Sequence, residues 1–209
     1  MQMKRALLVT TAMLMAAGTQ QAQASEDLYV NTFGGANFLE DDSGSAFNEP
    51  FSFDPDTGFI IGGAIGTHLE NWVHGLELEL EVSYRRNDVP GTISSDTAEV
   101  NVSNFAIMTN LWYEFNVGSK VRPYVGGGVG WDRVKFDAAW VCCSLDTGEN
   151  NGFAWQLGAG FNYEVMHDVD VGLGYTYFRG PDFDDMIFGG KNLENRNHAI
   201  VAKLTIGID

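Results

Sequence analysis

Residues 75–85 read GLELELEVSYR, and apolar and polar side chains alternate along this stretch without a break. An extended strand places every second side chain on the same face, whereas a helix would scatter these residues around its circumference. One face would carry Leu76, Leu78, Leu80, Val82 and Tyr84. The other would carry Glu77, Glu79, Glu81, Ser83 and Arg85. The stretch therefore predicts a β-strand with one apolar and one polar face, and it leaves open which face points inward.

The first residues of the chain have the pattern of a secretory signal peptide. Lys4 and Arg5 precede an apolar run at 6–17, and the small residues Ala22 and Ala24 follow it. This order of charge, apolar core and small residues is typical of a cleaved export signal, and the apolar run is shorter than the roughly 20 residues that a membrane-spanning helix needs. We therefore predict a signal peptide at 1–24 and one exported domain at 25–209.

Composition limits the class of this domain. The 209 residues carry a formal net charge of -16, with 25 glycines and 12% aromatic residues. So acidic a chain is a poor partner for nucleic acid, which is itself a polyanion. A length suited to one domain, combined with many glycines and aromatics, favours an all-β fold of short strands.

Period-two runs bounded by turn residues predict eight strands. They lie at 27–37, 58–68, 75–86, 101–115, 123–136, 153–165, 169–179 and 196–208. The connections between them alternate between long (38–57, 87–100, 137–152, 180–195) and short (69–74, 116–122, 166–168). Long loops at one end and tight turns at the other, with an even strand number, are typical of an eight-stranded antiparallel up-and-down transmembrane β-barrel of the bacterial outer membrane.

Glycine placement predicts which face is enclosed. One face of three successive strands is mostly glycine, at Gly126, Gly128, Gly130, Gly158, Gly160, Gly172 and Gly174. The opposite face of the same strands carries large apolar side chains such as Trp131, Leu157 and Leu173. A soluble barrel with the apolar face inside would be overfilled, because an eight-stranded lumen is only just wide enough for side chains. We therefore predict that the polar and glycine face lines the lumen and that the apolar face meets lipid.

The predicted lumen holds charges of both signs. Glu77, Glu79 and Glu81 would project inward at successive levels, with Arg85 above them and Lys203 on the last strand. Buried charges are costly unless they are paired, so we expect an ion-pair network among these five residues. Two interpretations stay open at this point: a salt-bridged lumen without a continuous pore, and a gated or very narrow cation path.

Signals of catalysis and of cofactor binding are weak. Of the four histidines, only His198 would lie near the long loops, and no serine stands beside it, so we expect no enzyme activity. Asp182, Asp184 and Asp185 lack the spacing of a calcium loop, and no cofactor or metal is predicted. Cys142 and Cys143 are adjacent in an exported loop, where a vicinal disulfide would be strained and readily reduced, so a redox switch, an intermolecular bridge and an incidental pair are all open.

Three strand motifs carry a resemblance to a known family. They are VRPYVGGGVGW at 121–131, FAWQLGAGFNY at 153–163 and VGLGYTYFR at 171–179. The chain resembles the OmpA/OmpX-like outer-membrane β-barrel superfamily, and within it the Opa-like and major-surface-protein branch. The resemblance implies insertion by the outer-membrane assembly machinery and a role as an envelope-stabilising, surface-antigen or host-interaction protein. The chain ends in Asp209 rather than in the aromatic residue common in such barrels, and no tether to the cell wall is predicted.

These observations predict a monomeric outer-membrane surface protein with long acidic external loops and no catalysis. Its expected partners are outer-membrane lipid and lipopolysaccharide, the assembly machinery, and an extracellular or host ligand that binds the loops. A narrow, porin-like ion channel is the first alternative, and an outer-leaflet lipid-modifying enzyme is the second.

Overall fold

The fold was analysed in a computed structural model that describes residues 28–40, 43–46, 49–52, 56–93, 96–140, 148–182 and 194–208. Ten β-strands occur in these ranges. They are β1 (Leu28–Leu39), β2 (Ser43–Ala46), β3 (Glu49–Ser52), β4 (Gly58–His68), β5 (Leu76–Ile93), β6 (Asp96–Glu114), β7 (Val121–Trp140), β8 (Gly148–Met166), β9 (Val169–Arg179) and β10 (Arg196–Ile208). None of the described residues forms a helix long and apolar enough to cross a membrane.

Eight of the strands form a closed antiparallel barrel in which each strand pairs with its neighbours in the sequence. The barrel closes where β1 pairs with β10, from Leu28 opposite Ile208 to Leu39 opposite Asn197. On its other side β1 pairs with β4, and the strands β2 and β3 form a separate two-stranded hairpin. Closure leaves no unpaired strand edge, which is the condition for a sheet to exist in hydrocarbon. The predicted all-β, eight-stranded antiparallel fold is confirmed.

The two ends of the barrel differ in their connections. At one end, here called the turn end, tight turns join β4 to β5, β6 to β7 and β8 to β9, with positive φ angles at Gly75, Gly118 and Asp168. At the opposite end, here called the loop end, the chain leaves β1 and β9 for long connections at 40–57 and 180–195. The predicted asymmetry between short turns and long connections is therefore present in two of the four loop-end connections.

Two predicted loops are shorter than expected because the strands extend past the barrel wall. The region 87–100 was predicted to be a loop, but β5 and β6 stay paired as far as Ile93 opposite Asp96. The region 137–152 is likewise partly strand, since β7 runs to Trp140 and β8 begins at Gly148. A ladder that stands beyond the membrane is solvated on both faces and needs no apolar alternation, so the period-two signal ends before the pairing does.

The two faces of the wall are sorted as predicted. On β5, Glu79 is 4% exposed and Arg85 is 1% exposed, whereas Leu80 between them is 52% exposed. On β8, Gln156 is 1% exposed and the adjacent Leu157 is 56% exposed. The polar side chains therefore fill the lumen, and the apolar side chains form the outer surface.

Inward glycines accommodate the large side chains of facing strands. A Cβ atom added at Gly130 would lie 2.8 Å from the sulfur of Met108, and one added at Gly126 would lie 2.7 Å from the Trp112 ring. Gly160 has the same relation to Tyr124, also at 2.7 Å. These distances are shorter than van der Waals contact, so the lumen is filled by a few large residues that need glycine opposite them.

Aromatic residues form bands on the outer surface at both ends of the barrel. Near the loop end, the rings of Trp155 and Tyr177 have centroids 5.4 Å apart. Near the turn end, the rings of Tyr113 and Phe115 lie 4.8 Å apart. Such bands mark the two levels at which a transmembrane barrel passes from lipid into water.

Candidate functional site

A cavity of about 590 Å³ opens at the turn end of the lumen. Its wall is rich in ionisable groups on β4 to β10 and the adjoining turns, including Glu70, Glu77, Glu114, Glu164, Asp168 and Asp170 on the acidic side. The basic groups at the wall are Arg122 and Lys203, with the three histidines His68, His74 and His167. The turn-end cavity is therefore an acidic basin that communicates with solvent.

One arginine crosslinks the acidic wall of this cavity. Arg122 lies at the start of β7, and its Nε is 2.6 Å from Glu114 while its terminal nitrogens are 2.5 Å from Asp170 and 3.4 Å from Glu164. These contacts join β6, β7, β8 and β9 at the rim. Glu114, Glu164 and Asp170 thus form an acidic ring at the turn end, with a guanidinium at its centre.

Glu70 and His74 pair in the turn between β4 and β5. His74 Nδ1 and a Glu70 carboxylate oxygen form a short contact across one helix-like spacing of four residues. The hydrogen bond with His74 lowers the pKa of Glu70 below its usual value. The Glu70 carboxylate therefore stays ionised to a lower pH than an isolated glutamate would.

Tyr29 and Glu77 line the inner end of the cavity, and Glu79 lies one level further into the lumen. The Tyr29 hydroxyl oxygen lies 3.0 Å from Glu77 Oε2 and 2.9 Å from Glu79 Oε1. A hydroxyl has one proton to donate, so these two contacts are both hydrogen bonds only when one of the carboxyl groups carries a proton. Asn31 and Trp112 donate to the remaining positions of Glu79, at 2.9 Å and 3.1 Å.

Glu81 is held one level closer to the loop end. Its Oε2 accepts hydrogen bonds from Asn110 at 2.7 Å and from Gln156 at 2.8 Å, and Gln156 also donates to Asn110. A small space of about 40 Å³ lies next to Glu81 and Glu79. This volume is enough for about one water molecule and far too little for a hydrated ion.

A packed layer closes the lumen above Glu81. Met108 and Phe178 are 0% and 1% exposed and pack with Ala106 and Ala154. The guanidinium carbon of Arg85 stacks 3.9 Å above the Phe178 ring, and Arg85 donates to the Ser83 hydroxyl at 3.1 Å. The cation–π contact thus offsets part of the free energy that the guanidinium loses when burial removes its hydration. We call Arg85, Met108 and Phe178 the plug.

Between the plug and the loop end lies a layer of amides. Asn104 and Asn195 donate to Asp132 Oδ2 at 2.7 Å and 3.2 Å, and Asn197 donates to Asn195 at 2.8 Å. Asn37 donates to Asn87 and Asn197, and Asn87 donates back to the Asn37 carbonyl. Amide side chains both donate and accept hydrogen bonds, so this layer can link β1, β5, β6, β7 and β10. Asp132 is the one ionisable residue among the side chains named in the layer.

A hydrogen-bonded row lies on the outer surface near the loop end. The Tyr175 hydroxyl donates to His198 Nδ1 at 2.5 Å, and His198 Nε2 donates to Glu40 at 2.9 Å. The hydrogen bond with His198, helped by Arg196 at 3.2 Å, lowers the pKa of Glu40 below its usual value. The row joins β9, β10 and the end of β1.

The residues predicted for the lumen all line it, but their direct partners differ from those expected. Glu77, Glu79 and Glu81 accept mainly from neutral groups, and His68 Nε2 lies 3.4 Å from Glu77 Oε1. The Lys203 ammonium lies 4.6 Å from the centre of the Tyr124 ring, and Arg85 stacks on Phe178. The five-residue ion-pair network thus stays a prediction. Cys142, Cys143, Asp184 and Asp185 lie outside the described residues.

Several lumen residues were missed by the sequence reasoning. They are Tyr29, Asn31, Asn37, Asn87, Tyr124, Asp132, Gln156 and Asn197. Each lies an even number of positions from an inward residue on its own strand, and this spacing could have identified them. Which of them touch each other depends on contacts across the lumen, which spacing does not contain. Within the described ranges, no group of three or more His, Cys, Asp or Glu residues is arranged to hold a metal ion.

Comparison with known proteins agrees with this architecture. A family model described as an outer membrane protein beta-barrel domain matches residues 8–205. The chain belongs to this family. It is 28% identical over 209 aligned residues to an outer membrane protein of Gluconacetobacter diazotrophicus, with 88% of this chain and 54% of the relative aligned, so it spans about half the length of that relative.

Solved structures with the same fold include barrels of different activities. Neisserial surface protein A aligns with a TM-score of 0.54 at 17% identity, over 88% of this chain and 98% of that one. The outer membrane protein OprG of Pseudomonas aeruginosa gives 0.56 at 14%, over 87% and 97%. The outer membrane protease OmpT of Escherichia coli gives 0.53 at 10%, over 87% and 97%. At these identities the likeness shows the fold alone.

Family membership places the chain in the bacterial outer membrane, as predicted. In barrels of this kind the tight turns face the periplasm and the long connections face outward. We therefore expect the turn end of this barrel to be the periplasmic end and the loop end to be the extracellular end.

Proposed function

We propose that this chain is a non-catalytic surface protein that stabilises the envelope and makes its external contacts through the acidic connections at the loop end. The observation that carries the proposal is the plug, since Arg85, Met108 and Phe178 lie in the lumen and are all buried, which favours a filled lumen over an open one. Because a filled lumen would not carry solutes, we assign the function of the molecule to its outer surface. The expected partners remain outer-membrane lipid and lipopolysaccharide, the assembly machinery and a ligand that binds the loops, with the barrel acting as a monomer.

The test is protease shaving of intact cells followed by mapping of the fragments. Cleavage in the connections 40–57 and 180–195, with the turns at 69–75 and 115–120 intact, is the expected result. Cleavage confined to those turns would contradict the topology. Deleting each of the two connections and screening for lost binding to cells or matrix would then show which of them makes contacts. If both deletions leave every surface phenotype unchanged, the interaction role is wrong.

A narrow cation channel is the second candidate. The acidic turn-end cavity and the inward row of Glu77, Glu79 and Glu81 favour it, because carboxylates along a path attract cations. Planar-bilayer recordings of the wild-type protein and of Glu79→Gln discriminate the two. No ionic current from either protein agrees with the plug, while a current that falls in the variant would support the channel.

The absence of catalysis is part of the proposal. In the row of Tyr175, His198 and Glu40, a hydroxyl, an imidazole and a carboxylate are hydrogen-bonded in the order found where a base activates a hydroxyl. The row lies on the outer surface, near the level of the outer leaflet. No serine or cysteine takes part in it, so it lacks the usual acyl-transfer nucleophile. Lipid A from cells that express His198→Ala should match lipid A from wild-type cells. A change in its acylation would revive the enzyme alternative.

A further inference from the structure

Three of the four strands that run toward the loop end repeat one local pattern. An outward aromatic residue is followed, after one inward residue, by an outward arginine: Tyr84 and Arg86 on β5, Trp131 and Arg133 on β7, Tyr177 and Arg179 on β9. Side chains two apart in a strand share a face, so each arginine lies one step, about 7 Å, beyond the aromatic band. On β10, Arg196 lies opposite Arg179. We call Arg86, Arg133, Arg179 and Arg196 the arginine belt.

The arginine belt is confined to one end of a strongly acidic molecule. The chain contains 12 lysines and arginines against 28 acidic residues. Among the described residues outside the belt, Arg85, Arg122 and Lys203 face the lumen or the turn-end cavity. Lys120 is exposed at the turn end, and Lys135 is exposed at the loop end beside Arg133. Tryptophan and tyrosine occur on the outer surface at both ends, so an aromatic band alone does not account for the arginines. What differs between the two membrane faces is the chemistry of the lipid headgroups.

The arginine pair of β9 and β10 is the densest part of the belt. Cations directly opposite each other on neighbouring strands repel, which is unfavourable unless anions lie between them. Here Glu194 lies 3.3 Å from Arg179 and also contacts Arg196, and Asp182 lies 3.6 Å from Arg179. Both guanidinium groups are one-third exposed, so these ion pairs are weak and exchangeable.

Arginine suits a phosphate ligand for geometric reasons. Its planar fork offers five N–H donors and binds two oxygens of a phosphate at once. Next to Arg179 and Arg196 the outer surface carries the aromatic side chains of His198, Tyr175, Tyr177 and Trp155. These rings separate the two charged groups from the apolar wall. A ligand that fits the whole surface has phosphates at its top and acyl chains below.

We propose that the arginine belt binds the phosphates of lipopolysaccharide in the outer leaflet, with Arg179 and Arg196 as its principal site. The acyl chains then lie along the apolar wall at Leu173 and Ile200, which are 45% and 50% exposed. The phosphates compete with Glu194, Asp182 and Glu40 for the guanidinium groups of Arg179 and Arg196. This assignment rests on the outward orientation of the loop end, which is part of the proposed function.

The experiment compares two single variants of the full chain that remove the same charge from opposite ends, Arg196→Gln and Lys120→Gln. Each is folded in micelles of a zwitterionic detergent and titrated with diphosphoryl lipid A, and with lipid A from which both phosphates have been removed. Arg196→Gln should bind diphosphoryl lipid A about tenfold more weakly than the wild type, since one charge-assisted contact is lost. Lys120→Gln should bind as the wild type does, and dephosphorylated lipid A should bind every variant weakly.

Three results would overturn the inference: unchanged binding by Arg196→Gln, an equal loss in Lys120→Gln, or equal binding of the two forms of lipid A. If Arg196→Gln does not fold, as judged by its circular dichroism, Arg179→Gln replaces it with the same expectation, because Arg179 is the other member of the principal site. Protease shaving separates this failure from that of the proposed function. Correct shaving with unchanged lipid binding rejects the arginine belt alone, whereas inverted shaving rejects both.

Discussion

At the residue scale, the lumen is built from pairs in which a large side chain faces a glycine. Met108 lies against Gly130, Trp112 against Gly126, and Tyr124 against Gly160. Eight strands enclose so little space that each large inward residue needs a missing side chain on a neighbouring strand. Glycine in these strands therefore serves close packing, although it costs strand propensity.

Adding one methyl group at such a pair should destabilise the barrel. In Gly130→Ala the new carbon would lie 2.8 Å from the Met108 sulfur and would also meet the backbone of β6, so we expect a loss of about 1–3 kcal/mol in the free energy of unfolding. Gly34→Ala on the outer face is the control, because its new carbon would meet nothing nearer than 3.6 Å. Urea unfolding of the two variants in lipid vesicles measures the difference. Equal stability of both would contradict the packing account.

The hydroxyl of Tyr29 is the second residue whose role can be isolated. In Tyr29→Phe the hydrogen bonds to Glu77 and Glu79 are lost while the ring is retained, so the free energy of unfolding should fall by about 1–3 kcal/mol. Tyr163→Phe removes the same group from the outer face, where the side chain is 43% exposed, and should be close to neutral. The same urea titration applies, and a neutral Tyr29→Phe would mean that the two glutamates do not depend on this hydroxyl.

At the element scale, the hairpin of β5 and β6 differs most from the expectation. Its strands are 18 and 19 residues long, well beyond the 9–11 residues that span the hydrocarbon. The register between β4 and β5 ends at Arg86, where the Asp56 amide still donates to the Asp88 carbonyl at 2.9 Å, while β5 stays paired with β6 as far as Ile93. The strand β6 stays between β5 and β7 as far as Ala98.

Amide hydrogen exchange can test this extension. Backbone amides of β6 from Ala98 to Asn101 are enclosed by ladders on both sides and should exchange slowly in the micelle-bound protein. The exposed turn residue Asn71 supplies the fast reference. Exchange in 98–101 as fast as in this turn would mean that the region is the loop that the sequence pattern predicted.

Sequence patterns predicted the strands inside the membrane because lipid forces a strict choice of side chain there. Between Leu76 and Tyr84, apolar side chains alternate with polar ones. One face of the strand meets acyl chains, and the other meets a crowded polar lumen. The ladder at 87–100 is under no such constraint and was not predicted. Contacts such as Tyr29 with Glu79, or Asn37 with Asn197, join residues far apart in the chain. They depend on how the barrel closes, and no local pattern records that.

At the scale of the whole molecule, the structure divides into three zones along the barrel axis. At the turn end the lumen is an open acidic cavity. In the middle the lumen is filled by the plug, and toward the loop end it is filled by the amide layer around Asp132. On the outside, the apolar wall is bounded by aromatic bands, with the arginine belt beyond one of them. In this arrangement the lumen is a structural core, and the groups available to bind other molecules lie on the outer surface.

The central claim is that the polar face is enclosed and the apolar face meets lipid, and tryptophan quenching tests it most directly. Variants that retain a single tryptophan at Trp131, Trp155 or Trp112 would be inserted into vesicles of lipids with brominated acyl chains. Bromine quenches fluorescence only on contact, so Trp131, on the outer face, and Trp155, in the outer aromatic band, should be quenched. Trp112, which is 6% exposed and lies in the lumen, should keep its emission. Quenching of Trp112 with emission retained at Trp131 and Trp155 would contradict the account.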